Sequence, residues 1–112
     1  MQEGSKLGLV MLVDDNDTDN FISKRIIEIT NFATEVIVKS SGKSALDYLE
    51  ENNDDAESLP EIIFLDINMP IVDGFVFLYE FEKFNDTVKD KCKVNLKGSP
   101  TILHFGIQFQ FE

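Results

Sequence analysis

Short runs of apolar and β-branched residues recur along this chain, and each has the length of a buried strand. Polar or turn-forming residues bound each run, which favours strands of a parallel sheet. The predicted strands span residues 8–13, 35–39, 62–65 and 93–97.

The stretches between these strands place apolar residues at helical spacing. The first stretch carries Phe21, Ile22, Ile26 and Ile29 at this spacing, with Lys24, Arg25 and Glu28 on the other side. The first predicted helix spans residues 19–30 and is capped by Asp17 or Thr18, and the second spans residues 44–51. The third opens at Asp73-Gly74 and runs to about Phe84, with an extension to Lys91 as the alternative. The order β-α-β-α-β-α-β predicts a parallel sheet with helices on both faces and right-handed crossovers.

Carboxylates follow two of the predicted strands at the point where each strand ends. Asp14 and Asp15 follow the first strand, and Asp66 follows the third. Because chemistry in open α/β sheets sits at the carboxyl ends of the strands, we expect the three carboxylates to lie together at one rim of the sheet. Like charges held this close repel, and Mg²⁺ is a suitable counter-ion. One carboxylate can then act as a nucleophile toward a phosphoryl group.

Length and composition restrict the function further. A chain of 112 residues predicts a single domain over 1–112, and a formal net charge of −11 argues against binding to nucleic acids or to anionic membranes. The single cysteine, Cys92, permits no internal disulfide and is predicted to be buried. The apolar run before Asp14 is too short for a signal peptide or a membrane span, so we expect a cytoplasmic location.

Together these motifs resemble the receiver domain of two-component response regulators. The acid pair ends the first strand, and the sequence DINMPIVDG of residues 66–74 ends the third. The resemblance covers about residues 8–97 and is specific because the two motifs occur in combination. It implies a doubly wound, flavodoxin-like parallel sheet and a part in bacterial-type phosphorelay signalling.

The resemblance also implies a role for each matching residue. Asp66 matches the phosphoacceptor, which takes a phosphoryl group from a phosphohistidine. Asp15 matches the acid that binds Mg²⁺ directly, Asp14 matches its partner, and Asn68 matches the residue whose backbone carbonyl completes the metal site. The loop that shapes the entrance to the next helix matches Met69, Pro70, Asp73 and Gly74.

The resemblance ends after about residue 97. The Ser or Thr with which the family senses the phosphoryl group falls on Gly98, with Ser99 beside it. The lysine of the family's fifth strand has no counterpart, and the position of Lys97 does not match it. Since that lysine normally gives a fixed positive charge to the phosphorylated aspartate, we expect a weaker link between phosphorylation and conformational change.

The last residues of the chain have a different pattern. Apolar side chains alternate with other residues at Leu103, Phe105, Ile107, Phe109 and Phe111, which indicates a half-buried strand. The linker Gly98-Ser99-Pro100 is too short for a parallel crossover. We therefore predict an antiparallel edge strand in the place of the family's fifth strand and helix, and this strand could mediate homo-oligomer formation. A truncated or frame-shifted coding sequence is the alternative origin of this segment.

These observations predict a phosphoacceptor that receives a phosphoryl group from a histidine kinase or phosphotransfer protein, requires Mg²⁺ and signals through protein contacts. It would not be an enzyme beyond self-catalysed phosphotransfer and dephosphorylation. A pseudo-receiver that acts as a binding or oligomerisation module without phosphorylation is the alternative. An aspartate-nucleophile phosphatase fits less well, because it expects a second Asp where this chain has Asn68.

Overall fold

A computed structural model describes residues 7–66 and 71–97 of the chain. Its four strands are β1 (Leu7–Val13), β2 (Ala33–Lys39), β3 (Ile62–Asp66) and β4 (Lys93–Lys97). Its helices are α1 (Asp17–Thr30), α2 (Gly42–Glu51), α3 (Ile71–Phe81) and α4 (Asp86–Lys91), with a 3₁₀ turn at Ala56–Ser58. The strands form one sheet of order β2-β1-β3-β4, and every pairing is parallel. The predicted α/β fold with a parallel sheet is thus confirmed.

The strand β1 lies at the centre of the sheet and is its most deeply buried element. Met11 pairs with Ile37 of β2 on one side and with Ile63 of β3 on the other. Residues 10–13 are almost completely buried, because both edges of the strand are paired and both faces are covered. An uninterrupted apolar run is the pattern that such a position requires.

The hydrophobic cores on the two faces of the sheet differ in size. Alternate residues of β1 point to opposite faces, so Met11 and Val13 join a large core with α2 and α3, whereas Val10 and Leu12 join a smaller one with Ile27 of α1. The larger core contains Leu49, Phe77, Phe81 and Val94, among other residues. The described helices therefore cover one face of the sheet more fully than the other.

The start of α1 differs from its prediction. Asn16 caps the helix, because its side-chain Oδ1 accepts a hydrogen bond from the backbone N–H of Asp19 at 2.9 Å. The predicted cap, Asp17 or Thr18, is therefore wrong, and both residues lie inside the helix. Asp17 and Asp19 occupy its first turn, where the helix dipole favours acids. The helix ends at Thr30, and its C-cap Asn31 has a left-handed φ of 56°, a conformation that Asn tolerates.

The apolar residues that predicted α1 are mostly exposed. Phe21 is 67% exposed and Ile26 is 55% exposed, and Ile22 and Ile29 are similar. The buried residues of this helix are instead Asn20 and Ile27. The described part of α1 thus turns much of its apolar surface away from the sheet.

The segment after β3 contains two helices, where the sequence predicted one that runs to about Phe84 or on to Lys91. The first, α3, ends at Phe81, and Asn85 caps α4 by accepting a hydrogen bond from the Val88 N–H at 3.1 Å. The predicted start is also wrong, because α3 begins at Ile71 and Gly74 lies within it. Similarly, α2 begins at Gly42, two residues before the predicted start, because the Ser41 hydroxyl caps it.

Several predictions fall outside the described residues. Asn68, predicted to complete the metal site with its carbonyl, and the loop residues Met69 and Pro70 lie there. So do the altered switch position, Gly98 and Ser99, and the antiparallel strand predicted for the last residues of the chain. Among the helices in the described ranges, none is long and apolar enough to cross a membrane.

Cys92 is buried, as predicted, at 4% exposed, but it caps the end of α4 and does not lie in a strand, which the sequence had predicted for it. Burial raises the pKa of its thiol to about 12 from an ordinary value of 9.0. Because the thiolate is the reactive form, we expect a disulfide-exchange reagent at pH 8 to label the folded chain about 1000-fold more slowly than the chain in denaturant. Equal labelling rates would show that the thiol is accessible in the folded protein.

Candidate metal centre

The register of β1 and β3 brings the carboxylates of the two strands together. Val13 pairs with Leu65, so the next residues of the two strands, Asp14 and Asp66, meet at the same rim of the sheet. One carboxylate oxygen from each of Asp14, Asp15 and Asp66 lies within 4.8 Å of the other two. The predicted acidic cluster is therefore present in the structure.

The three carboxylates differ in their exposure to solvent. Asp14 and Asp66 are buried, at 2% and 8% exposed, whereas Asp15 is exposed. The cluster thus has two buried acids and one acid that faces the solvent. This arrangement leaves a side on which water or a phosphorylated group can approach.

Backbone and asparagine groups hold Asp14 in place. The backbone N–H of Asn16 donates a hydrogen bond to Asp14 Oδ1 at 2.9 Å, and Asn20 Nδ2 donates to the Asp14 backbone oxygen at 2.8 Å. The Asp14 N–H donates to the Lys39 carbonyl at 3.1 Å, which ties the end of β1 to β2. These contacts fix the carboxylate and the backbone before any ligand arrives.

Asn20 is a residue beside the cluster that the sequence prediction did not include. Its side chain is buried, and its Oδ1 has no hydrogen-bond partner in the part of the chain that the structure describes. A buried, unpaired acceptor costs about 1–3 kcal/mol, so an amide is a costly choice if packing is its only role. The apolar spacing of α1 gave no signal for it, because that spacing does not run along the flank of the helix that carries Asn20.

The geometry of the cluster fits Mg²⁺. Octahedral Mg²⁺ binds oxygen at about 2.0–2.1 Å, which separates neighbouring ligand oxygens by about 3 Å and opposite ones by about 4.2 Å. Three carboxylate oxygens within 4.8 Å of one another can reach such positions with small side-chain adjustments. The donors are all hard oxygens, which suit Mg²⁺ better than metals that prefer nitrogen or sulfur.

We expect Asn20→Ala to lower the Mg²⁺ affinity about tenfold, because residues that orient metal ligands typically contribute 10–100-fold. The matched control is Asn52→Ala, which removes an amide that donates to the Tyr48 carbonyl at 2.8 Å, away from the cluster. Calorimetric titration with Mg²⁺ measures both variants. An equal affinity in the two variants would show that Asn20 contributes only to packing.

Comparison with protein families gives a match over most of the chain. Residues 10–92 match the model of the response regulator receiver domain. One curated relative is a probable methanogenesis regulatory protein, FilR2, from Methanothrix harundinacea, with 32% identity over 75 residues. That alignment covers 67% of this chain and 48% of the relative. The chain thus spans about half the length of this relative.

Solved structures of similar fold agree with this match. A two-component response regulator from Cytophaga hutchinsonii has 34% identity and a TM-score of 0.72, over 81% of this chain and 68% of that chain. The receiver domain of the histidine kinase CKI1 from Arabidopsis thaliana was solved with Mg²⁺ and BeF₃⁻. It has 24% identity and a TM-score of 0.62, over 88% of this chain and 71% of that chain. At this identity the second likeness concerns the fold alone.

Proposed function

Because this chain belongs to the response regulator receiver domain family, we propose that it accepts a phosphoryl group on Asp66 in a Mg²⁺-dependent reaction. The observation that carries the proposal is the cluster of Asp14, Asp15 and Asp66, whose carboxylate oxygens lie within 4.8 Å of one another at the ends of β1 and β3.

The residues of the cluster have distinct parts in this reaction. Asp66 is held at the end of β3, where a carboxylate oxygen can attack the phosphorus of an incoming phosphohistidine. The new bond joins that oxygen to phosphorus, the bond between phosphorus and the donor imidazole nitrogen breaks, and the nitrogen keeps the electron pair. Asp14, fixed by Asn16 and Asn20, and the exposed Asp15 would hold the cation with Asp66. Mg²⁺ bound there would neutralise charge on the phosphoryl oxygens.

The implied partners are a histidine kinase or a phosphotransfer protein as donor, and an output protein that reads the phosphorylated state. The net charge of −11 disfavours nucleic acid as the direct output. The chain would have no catalytic activity beyond transfer to its own Asp66 and loss of the phosphoryl group to water. The CKI1 structure, with Mg²⁺ and BeF₃⁻, supports the choice of ion for a fold of this kind.

Incubation with a small phosphodonor and Mg²⁺, followed by intact mass measurement, tests the proposal. We expect the chain to gain the mass of one phosphoryl group and Asp66→Asn to gain none. Asp47→Asn, which removes an exposed acid of α2, is the charge-matched control and should gain the same mass as the natural chain. An unchanged gain in Asp66→Asn, or no gain in a chain shown to be folded, would contradict the proposal.

The exposed apolar residues of α1 favour a second candidate function. A pseudo-receiver would use its surface as a binding or oligomerisation module and would leave Asp66 unmodified. The same experiment separates the two functions, because a folded pseudo-receiver gains no phosphoryl group in any variant.

A further inference from the structure

An apolar groove runs between α1 and the sheet, on the face opposite α2 and α3. It has a volume of about 220 Å³. The lining residues come from the helix, from the turn that follows it and from two strands; they are Leu12, Ser23, Ile26, Ile27, Phe32 and Phe64. Ser23 is the single polar residue in this set. The groove is thus suited to apolar side chains and distinct from the acidic cluster.

The exposed surface of α1 continues this groove. Ile22, Ile26 and Ile29 follow one another at i, i+4 and i+7, which places them in one stripe along the helix. Each is at least half exposed, and the neighbouring Phe32 is 42% exposed. Contiguous apolar surfaces of this kind usually mark a site at which another segment or molecule packs.

The chain itself supplies a segment that can reach the groove. Phe64, on the groove floor, pairs in register with Asn95 of β4, and β4 ends two residues later at Lys97. Residues 98–112 follow directly. Neighbouring strands lie about 4.8 Å apart, and three extended residues span about 10 Å, so residues 98–100 suffice to bring the next residues over Phe64.

The composition of residues 98–112 matches the groove. This segment, the tail, carries apolar side chains at alternate positions from Leu103 to Phe111, so an extended tail presents one apolar side. Its sole Asp, Glu, Lys or Arg residue is Glu112, although the whole chain has a net charge of −11. The tail can therefore approach the acidic domain with little electrostatic repulsion.

We propose that the tail docks in the groove of its own chain instead of pairing with β4 as an edge strand, with alternate apolar residues between Leu103 and Phe111 packed against Ile26 and Phe64. Two arguments favour the tail over a second copy as the occupant. A tethered segment has an effective concentration in the millimolar range, which a second molecule must exceed. Two copies, each with a net charge of −11, also repel each other.

Paired cysteines test the docking in the full chain. Ile26→Cys is combined in turn with Phe105→Cys, Ile107→Cys and Phe109→Cys, and the variants are oxidised mildly with oxidised glutathione. A disulfide requires Cα atoms about 4.4–6.8 Å apart, so an internal disulfide reports contact. The native Cys92 is buried and should not interfere. We expect at least one pair to form an internal disulfide about tenfold faster than the controls.

One control moves the tail cysteine to the opposite side of the extended tail, and the other moves the helix cysteine away from the groove. Gln108→Cys replaces a residue on the other side of an extended tail, and Phe21→Cys lies about 140° around α1 from Ile26. Equal rates in the controls, or the absence of an internal disulfide in every pair, would overturn the proposal. Disulfides that form mainly between molecules, and faster at higher protein concentration, would also overturn it and assign the groove to a second copy.

A fluorescence experiment gives a second readout that does not depend on oxidation. The chain has no tryptophan, so Phe109→Trp places a single reporter in the tail. We expect its emission to be that of a packed indole, to shift to longer wavelength when Ile26→Asp is added, and to stay unchanged when Phe21→Asp is added. Emission of a solvated indole in all three variants would contradict docking.

Discussion

Asp15→Asn is expected to lower the affinity for Mg²⁺ by about 100-fold or more. The residue supplies one of the three carboxylate oxygens that lie within 4.8 Å of one another, and its removal takes one of three negative charges from the cation site. Even groups that only orient metal ligands contribute about 10–100-fold to affinity, so a direct ligand should contribute at least the upper value. Because Asp15 is exposed, its replacement should leave the core intact.

Thermal unfolding with and without Mg²⁺ measures this effect together with calorimetric titration. A ligand present at 100 times its dissociation constant stabilises the folded state by about 2.7 kcal/mol. We therefore expect Mg²⁺ at that concentration to raise the melting temperature of the natural chain and to have little effect on Asp15→Asn. Without Mg²⁺ the variant should melt slightly higher, because a like-charge repulsion has been removed.

The control for net charge is Asp17→Asn, which replaces an exposed acid in the first turn of α1 that is not part of the cluster. It should bind Mg²⁺ as the natural chain does. If Asp15→Asn and Asp17→Asn bound the ion equally well, the acidic cluster would not be the metal site, and the proposed phosphoryl chemistry would lose its cation.

Phe77→Ala should cause the largest loss of stability among single substitutions in the core. Phe77 is completely buried in the core between the sheet, α2 and α3, and its ring stacks on Phe81 with centroids 6.0 Å apart. Removal of a buried phenyl ring costs about 3–5 kcal/mol, because the transfer free energy is lost and a cavity remains. Since domains of this size are stable by about 5–15 kcal/mol, the variant would be close to unfolding.

Chemical denaturation with urea measures this loss as a decrease in the free energy of unfolding. Phe21→Ala is the matched control, since the same side chain is removed from a site that is 67% exposed, and we expect a change within about 0.5 kcal/mol. Equal effects of the two substitutions would mean that the core does not depend on Phe77. Phosphorylation of the folded fraction of Phe77→Ala should proceed, because the residue is not part of the acidic cluster.

The position of the acidic cluster could be predicted from the sequence because two simple rules apply to it. Apolar runs fix the extent of β1 and β3, and parallel neighbours end at the same rim of the sheet. Asp14, Asp15 and Asp66 follow these runs directly, so their meeting required no knowledge of the packing. That β1 and β3 are neighbours was an assumption of the sequence analysis, and the structure pairs them.

The orientation of α1 could not be predicted in the same way. Phe21, Ile22, Ile26 and Ile29 give the helical spacing, but spacing does not say which flank of a helix meets the sheet. The structure turns Asn20 and Ile27 inward, where the Asn20 amide can reach the Asp14 carbonyl. A hydrogen bond to a single backbone oxygen leaves no signature in a pattern of apolar residues. The cap at Asn16 was missed for a similar reason, since several neighbouring residues can cap.

The division of the third helical segment also depended on a local detail. An unbroken helix from Gly74 to Lys91 fits the apolar spacing, but the Asn85 side chain accepts a hydrogen bond from the Val88 N–H and starts a second helix there. Asn is a weak helix former and a strong cap, so both readings were open until the backbone was known.

The central place of β1 has a consequence for the order in which the fold is assembled during synthesis. Met11 needs Ile37 and Ile63 as partners, and both are made later than β1. Until then an apolar strand has two open edges, a state that exposes nascent chains to aggregation. The acid pair that follows β1 likewise has to wait for Asp66 before the three carboxylates can share a cation. Although β1 is made before the other three strands, both of its edges are paired only after β3 has been made.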